Sequence, residues 1–161
     1  MKKNVFIVVA LVLIAFCAVA VGMGNATEKI VPKAADFTLK DLKGNNVTLS
    51  SFRGKQVLIT FGATWCPYCV KEVPELNAFF DKHQDKDVKV LSVDINESAD
   101  KVASFAKKHN VKYTILLDSD GEVAKKYEVY GIPAIFLIDK DGIIKYSGAG
   151  SPEGGFEALI K

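Results

Sequence analysis

An apolar, mostly β-branched run, Val57-Leu58-Ile59-Thr60-Phe61, passes through Gly62-Ala63-Thr64 into Trp65-Cys66-Pro67-Tyr68-Cys69. The run has the composition of a buried strand. Beyond Cys69, apolar residues recur at Val73, Leu76, Phe79 and Phe80, and this spacing predicts a helix over 66–83. The two cysteines therefore stand where a strand ends and a helix begins. A helix N-terminus offers unpaired N–H groups and the positive end of the macrodipole, and both favour a thiolate. Cys66, as N-cap, is the expected nucleophile with a lowered pKa. Pro67 fits the first helical position, where a missing N–H costs nothing. Cys69, three residues on, is expected beneath Cys66, less exposed and within disulfide reach. The pattern implies a dithiol that cycles between reduced and oxidised forms, with no cofactor beyond the Cys66–Cys69 disulfide itself. A structural zinc site needs about four ligands. There is no second Cys pair, and His83 and His109 show no ligand spacing, so no metal is expected.

The remaining cysteine, Cys17, lies in an apolar N-terminal run, so no disulfide framework staples the domain. The net charge of +2 is carried by Lys2 and Lys3, and the rest of the chain is neutral. This balance argues against nucleic acid as a partner. Met1-Lys2-Lys3-Asn4, the apolar stretch Val5–Val21 and the small residues that follow read as an export signal or an uncleaved membrane anchor over 1–26. Either form puts the domain outside the cytoplasmic membrane, periplasmic or anchored and facing outward. Residues 27–35 read as a linker and 36–161 as the domain.

Within the domain, 36–40 and 46–49 alternate as a hairpin around Lys43-Gly44-Asn45. Further strands are expected over 88–93, 113–117, 134–138 and 143–147, and helices over 98–110, 121–127 and 153–161. Strands joined by helices early and by a hairpin late imply an α/β domain with a mixed sheet covered on both faces.

These residues carry a family likeness. Ser51-Phe52-Arg53-Gly54-Lys55, Phe61 to Cys69, Glu72-Val73-Pro74-Glu75-Leu76, Leu91-Ser92-Val93-Asp94, Gly131-Ile132-Pro133 and Phe136-Leu137-Ile138-Asp139 together resemble the thioredoxin-like proteins of the TlpA/ResA type. The resemblance implies a thioredoxin-like fold, a central mixed sheet flanked by helices, with an N-terminal β-hairpin and a βα insertion near 95–117. It implies an exported protein disulfide oxidoreductase that reduces disulfides in other exported proteins, apocytochrome c being the family's best-known substrate. A membrane thiol–disulfide electron donor would recharge the pair. Pro133 is expected to be cis beside the dithiol, with the Ile132 backbone presented to an extended substrate. Trp65, Pro67 and Tyr68 are expected to form the docking rim.

Two departures from the family pattern stand out. The Pro67-Tyr68 dipeptide resembles that of glutaredoxins, which leaves a disulfide-donating oxidant as the alternative direction. Thr60 occupies the position where many thioredoxins bury an Asp, and it cannot titrate there. Glu72, three residues after Cys69 on the same helical face, matches the acid that takes over in ResA-like members. It is expected to accept the proton of Cys69. A peroxidase would place Thr three residues before the cysteine, whereas Thr64 is two before Cys66. A copper-binding assembly factor would need a longer Cys spacing and a distant His, which neither histidine supplies. Deleting residues 1–26 is expected to leave a soluble domain that still exchanges disulfides. An insoluble product lacking native circular dichroism would instead assign Val5–Val21 to the core.

Overall fold

A computed structural model describes residues 32–84 and 86–160. The export or anchor reading of 1–26, and the linker reading of 27–31, lie outside these residues. The strands are β1 (Thr38–Asp41), β2 (Asn46–Thr48), β3 (Gln56–Gly62), β4 (Val88–Ile95), β5 (Thr114–Asp118), β6 (Ala134–Ile138) and β7 (Ile144–Ala149). The α-helices are α1 (Pro67–His83), α2 (Ala99–Lys108) and α3 (Glu122–Lys126), and 3-10 turns cover Leu49–Phe52 and Phe156–Ile160. The sheet runs β2-β1-β5-β4-β3-β6-β7. β3, β4 and β5 are parallel, while β6, β7 and the opening hairpin run against their neighbours. This is the expected thioredoxin-like arrangement, with the α2–β5 insertion carrying the hairpin at one edge.

β3 is buried from Val57 to Gly62 because both of its faces are covered. On one face Val57, Ile59 and Phe61 join Leu91, Val93, Leu116, Tyr127 and Phe136 under α3. Phe61 packs against Tyr127 and Phe136, with ring centroids 5.3 and 5.6 Å apart. The Asp118 carboxylate, fully buried, accepts the N–H groups of Val123 and Ala124 and so caps α3. On the other face Leu58, Val90 and Ile135 meet Leu76 and Phe79 of α1, and Phe156. The helix begins at Pro67 and continues through Pro74.

Two boundaries differ from the sequence expectation. Pro32–Ala35 are not free linker. The Ala34 N–H donates to the Gly142 carbonyl, Ile144 N–H donates to Pro32, and the Ala34 side chain is in the core. The last element is a single 3-10 turn rather than an α-helix over 153–161. Positive-φ Gly154 and Gly155 delay its start. Phe156 then anchors it, and Glu157 reaches His83 Nε2 at 3.0 Å and Lys82. Phe61→Ala is expected to cost about 3–5 kcal/mol, because a fully enclosed aromatic leaves a cavity with little room to collapse. Urea denaturation of the oxidised protein measures this.

Candidate active site

β3 stops at Gly62 and α1 starts at Pro67, so Ala63–Cys66 must turn the chain over the sheet's edge. The turn is tied down from the side. Thr64 donates its N–H to Glu97 Oε2 at 2.5 Å and its hydroxyl to Oε1 at 2.8 Å, and Lys101 Nζ pairs with the same carboxylate at 2.5 Å. Burial alone would lift the Glu97 carboxyl, but Lys101 and the Thr64 donors outweigh it and hold the pKa below the usual range. Thr64 therefore spends its hydroxyl on positioning the loop.

Cys66 is the N-cap of α1, and its Sγ accepts the Cys69 N–H at 3.2 Å. The two cysteines are disulfide-bonded, with Cα atoms 5.3 Å apart. The Ile132–Pro133 peptide is cis, and the Ile132 carbonyl oxygen lies 3.8 Å from Cys66 Sγ. The order of exposure reverses the expectation. In the oxidised pair Cys66 is only 3% exposed and Cys69 is half-buried. The Ile132 carbonyl lies against Cys66. It still lines a groove of about 730 Å³ together with Trp65, Tyr68, Tyr130 and Ile132. Trp65, Tyr68 and Tyr130 are 66%, 68% and 94% exposed, so they are unpacked aromatic surface. A second groove, about 610 Å³, runs between Tyr68, Glu72, Pro133 and Gly150.

Behind the disulfide lies a small cavity of about 30 Å³, lined by Thr60, Gly62, Cys69, Glu72, Ser92, Asp94 and Tyr113. Gly62 makes this space. A Cβ there would come within 3.2 Å of Cys69 Sγ. Glu72 is 7% exposed, and its Oε2 has no hydrogen-bond partner. Burial lifts its pKa to about 7; the nearby Ser151 N–H works the other way and the Glu75 charge adds to the rise. Asp94 is equally buried, with Oδ1 unpartnered. Its pKa is also lifted to about 7, by burial first and then by Glu97, with Lys101 opposing. Tyr113, buried and close to Glu72, is pushed above its ordinary range.

The structure thus brings together Trp65, Cys66, Pro67, Tyr68, Cys69, Glu72, Ile132 and Pro133 at one end of the sheet. Sequence reading missed Asp94 and Tyr130. The alternation of β4 carried a signal for Asp94, since Ser92 and Asp94 share a face. Tyr130 is an aromatic three residues before Pro133 in a glycine-containing loop, which signals little on its own.

The profile of the AhpC/TSA family matches residues 30–147. The thiol-disulfide oxidoreductase ResA of Bacillus thuringiensis subsp. konkukian is 36% identical over 150 residues, covering 88% of this chain and 86% of that protein. ResA of Bacillus subtilis is 31% identical over 147 residues, 88% and 82% respectively. The crystal structure of StoA from Bacillus subtilis superposes with a TM-score of 0.67 at 30% identity, covering 78% of this chain and 94% of that one. The thioredoxin domain of a thiol-disulfide oxidoreductase from Bacteroides vulgatus gives 0.69 at 29%, covering 74% and 87%. Sequence, fold and the paired cysteines at a strand-to-helix junction agree. The chain belongs to the AhpC/TSA family, and within it to the thioredoxin-like thiol–disulfide oxidoreductases of the ResA type.

Proposed function

We propose that this thiol–disulfide oxidoreductase works outside the cytoplasmic membrane and reduces disulfides in exported polypeptides, including the cysteine pairs of an apocytochrome before haem attachment. The basic start and apolar run of residues 1–26 support export, and a membrane thiol–disulfide donor would re-reduce the pair. The carrying observation is the division of the dithiol between two environments. Cys66 lines the aromatic-rimmed groove beside the Ile132 carbonyl, and Cys69 lines a small cavity whose wall includes Glu72 and Asp94.

In this reading the Cys66 thiolate, held by the Cys69 N–H and the α1 N-terminus, attacks one sulfur of the substrate disulfide. The substrate S–S bond breaks and one substrate thiolate leaves, taking a proton from solvent. Cys69 then gives its proton to Glu72 and attacks Cys66 Sγ. The Cys66–substrate bond breaks and the second substrate thiol is released. Two electrons pass from the dithiol to the substrate. Trp65, Tyr68 and Pro133 hold the extended substrate backbone against Ile132 in a short form of strand addition. The Pro67-Tyr68 dipeptide favours a second reading, a disulfide donor. The reduction potential separates the two, near about −270 mV for a reductant and near about −120 mV for an oxidant.

Cys66→Ala is expected to abolish reduction of insulin disulfides, and Cys69→Ala to accumulate mixed disulfides through Cys66, read by mass spectrometry. Alkylation of Cys69 before Cys66 in the reduced protein would reverse the assignment. Glu72→Gln is expected to leave the first attack intact and to slow substrate release by about 10²-fold or more. The same substitution has a signature in stability. Because the folded-state pKa of Glu72 is raised from 4.5 to about 7, the native protein holds a proton that the unfolded chain releases between those values. Stability from this group is therefore present below pH 4.5 and lost as pH rises through 7. Glu72→Gln should raise the unfolding free energy of the oxidised protein, measured by urea denaturation at pH 8, by up to about 3 kcal/mol, and leave it nearly unchanged at pH 4.5.

A further inference from the structure

The acceptor for the Cys69 proton has a second candidate, and strand register is what brings it to the cysteine. β3 and β4 are parallel neighbours with Leu58 opposite Val90, Thr60 opposite Ser92 and Gly62 opposite Asp94. Paired residues in a parallel ladder share a face and stand about 4.8 Å apart. On the α1 side the two strands thus read Leu58, Thr60, Gly62 and Val90, Ser92, Asp94. Both turn from apolar to polar as they approach the disulfide. Cys69 Sγ sits over Gly62, the residue whose strand partner is Asp94. The Asp94 carboxyl and Cys69 line the same cavity, and Asp94 Oδ1 is buried without a partner.

We propose that Asp94 is a second proton acceptor for Cys69, acting in parallel with Glu72 when the dithiol is oxidised. This rests on the reading that Cys69 resolves the mixed disulfide. The Cys69 S–H bond breaks and an O–H bond forms on the Asp94 carboxylate, across a space whose volume is about that of one water in the liquid. The sulfur electron pair forms the bond to Cys66 Sγ, and the substrate sulfur leaves with the pair from the broken Cys66–substrate bond. No external oxidant or reductant is required.

The two acids differ in where their proton goes next. Glu72 lines both the small cavity and the groove beside Pro133 and Gly150, so a bound polypeptide would cover its exit on that side. Asp94 lines the cavity but not that groove, and its charged neighbours are Glu97 and Lys101, whose side chain is exposed. The titratable groups facing Asp94 are Cys69 and Glu72 from α1, Glu97 from the loop after β4, Lys101 from α2 and Tyr113 before β5; β3 contributes only Thr60 and Gly62. The lifted pKa values of both acids keep them partly protonated near neutrality, so each can take and return a proton.

The test is single-turnover reduction of a peptide disulfide by the full chain between pH 5.5 and 8.5, followed through Trp65, the chain's single tryptophan. Asp94→Asn is expected to slow the resolving step about 10-fold and to remove one ionisation near neutrality from its pH profile. Glu72→Gln should remove the other. The double variant should be about 10-fold slower again than Glu72→Gln alone, about 10³-fold below the unmodified protein, and be flat from pH 6 to 8. A double variant with the rate and profile of Glu72→Gln alone overturns the proposal. If Asp94→Asn does not fold, the oxidised-minus-reduced infrared spectrum of Glu72→Gln decides. A remaining protonated-carboxyl band that grows on oxidation supports Asp94, and its absence overturns it. Cys69→Ala separates the two levels. Failure to accumulate a mixed disulfide would overturn the resolving role of Cys69 and this proposal with it. Normal trapping with a wild-type profile for Asp94→Asn would overturn the role of Asp94 alone.

Discussion

The double pairing of β3 governs where everything else goes. The strand is hydrogen-bonded to β4 in parallel and to β6 in antiparallel, and both of its faces are buried. Its C-terminal end is therefore fixed in three directions. β4 runs alongside and delivers Asp94 beside Gly62. β6 runs the other way, so its first residue, Ala134, lies opposite Phe61, and the residues just before it, Ile132 and Pro133, arrive at the same edge. The chain leaving β3 has one way to bury α1, back across the sheet, and this puts the helix N-terminus at the edge as well. Cys66, the Ile132 carbonyl and the buried acids meet because one strand ends where two neighbours end and begin.

The same face of the sheet supports two incompatible demands, and it separates them along its length. Near Leu58, Val90 and Ile135 it is an ordinary apolar core against Leu76 and Phe79. Two residues further on it becomes Thr60 and Ser92, then Gly62 and Asp94. Buried carboxyl oxygens without donors cost stability, and among the described residues they are Glu72 Oε2 and Asp94 Oδ1, both at the cavity behind the disulfide. The cost is carried by the core at the other end of the same strands. Local violations of good packing concentrate at functional sites, and the proposed proton transfer from Cys69 would use a carboxyl that is not locked in its charged form.

Much of this architecture was legible in the residues. β3 and β6 are dense apolar runs, and α1 repeats its apolar positions from Val73 to Phe80, so their periods survive any context. The cysteine pair was placed by its neighbours rather than by its own spacing, and Glu72 followed from helical geometry. What was not legible depended on partners distant in sequence. Pro32–Ala35 read as linker because their packing comes from Gly142 and Tyr127. The final turn read as a helix because Phe156 anchors it regardless of propensity. Asp94 carried no site reading, since its environment is decided by the register with Gly62. The exposure of the two cysteines came out reversed because the Ile132 backbone, distant in sequence, lies against Cys66.

Asp94 and Glu97 show how finely one segment can set two acids. They are three residues apart, both buried, and both within reach of Lys101. Glu97 receives the Thr64 N–H, the Thr64 hydroxyl and the Lys101 ammonium, so its charge is held and it serves as a fixed anchor for the loop before Cys66. Asp94 has an oxygen with no donor and a charged neighbour of its own sign. Both residues are buried, but Asp94 bears the larger desolvation penalty and Glu97 the larger donor set, and the two differences together decide which acid stays charged. The anchor also conditions its neighbour. By remaining an anion, Glu97 makes a second negative charge beside it unfavourable and keeps the Asp94 carboxyl near the point where it can still accept a proton. Loop geometry and proton affinity at the dithiol are therefore linked through one ion pair.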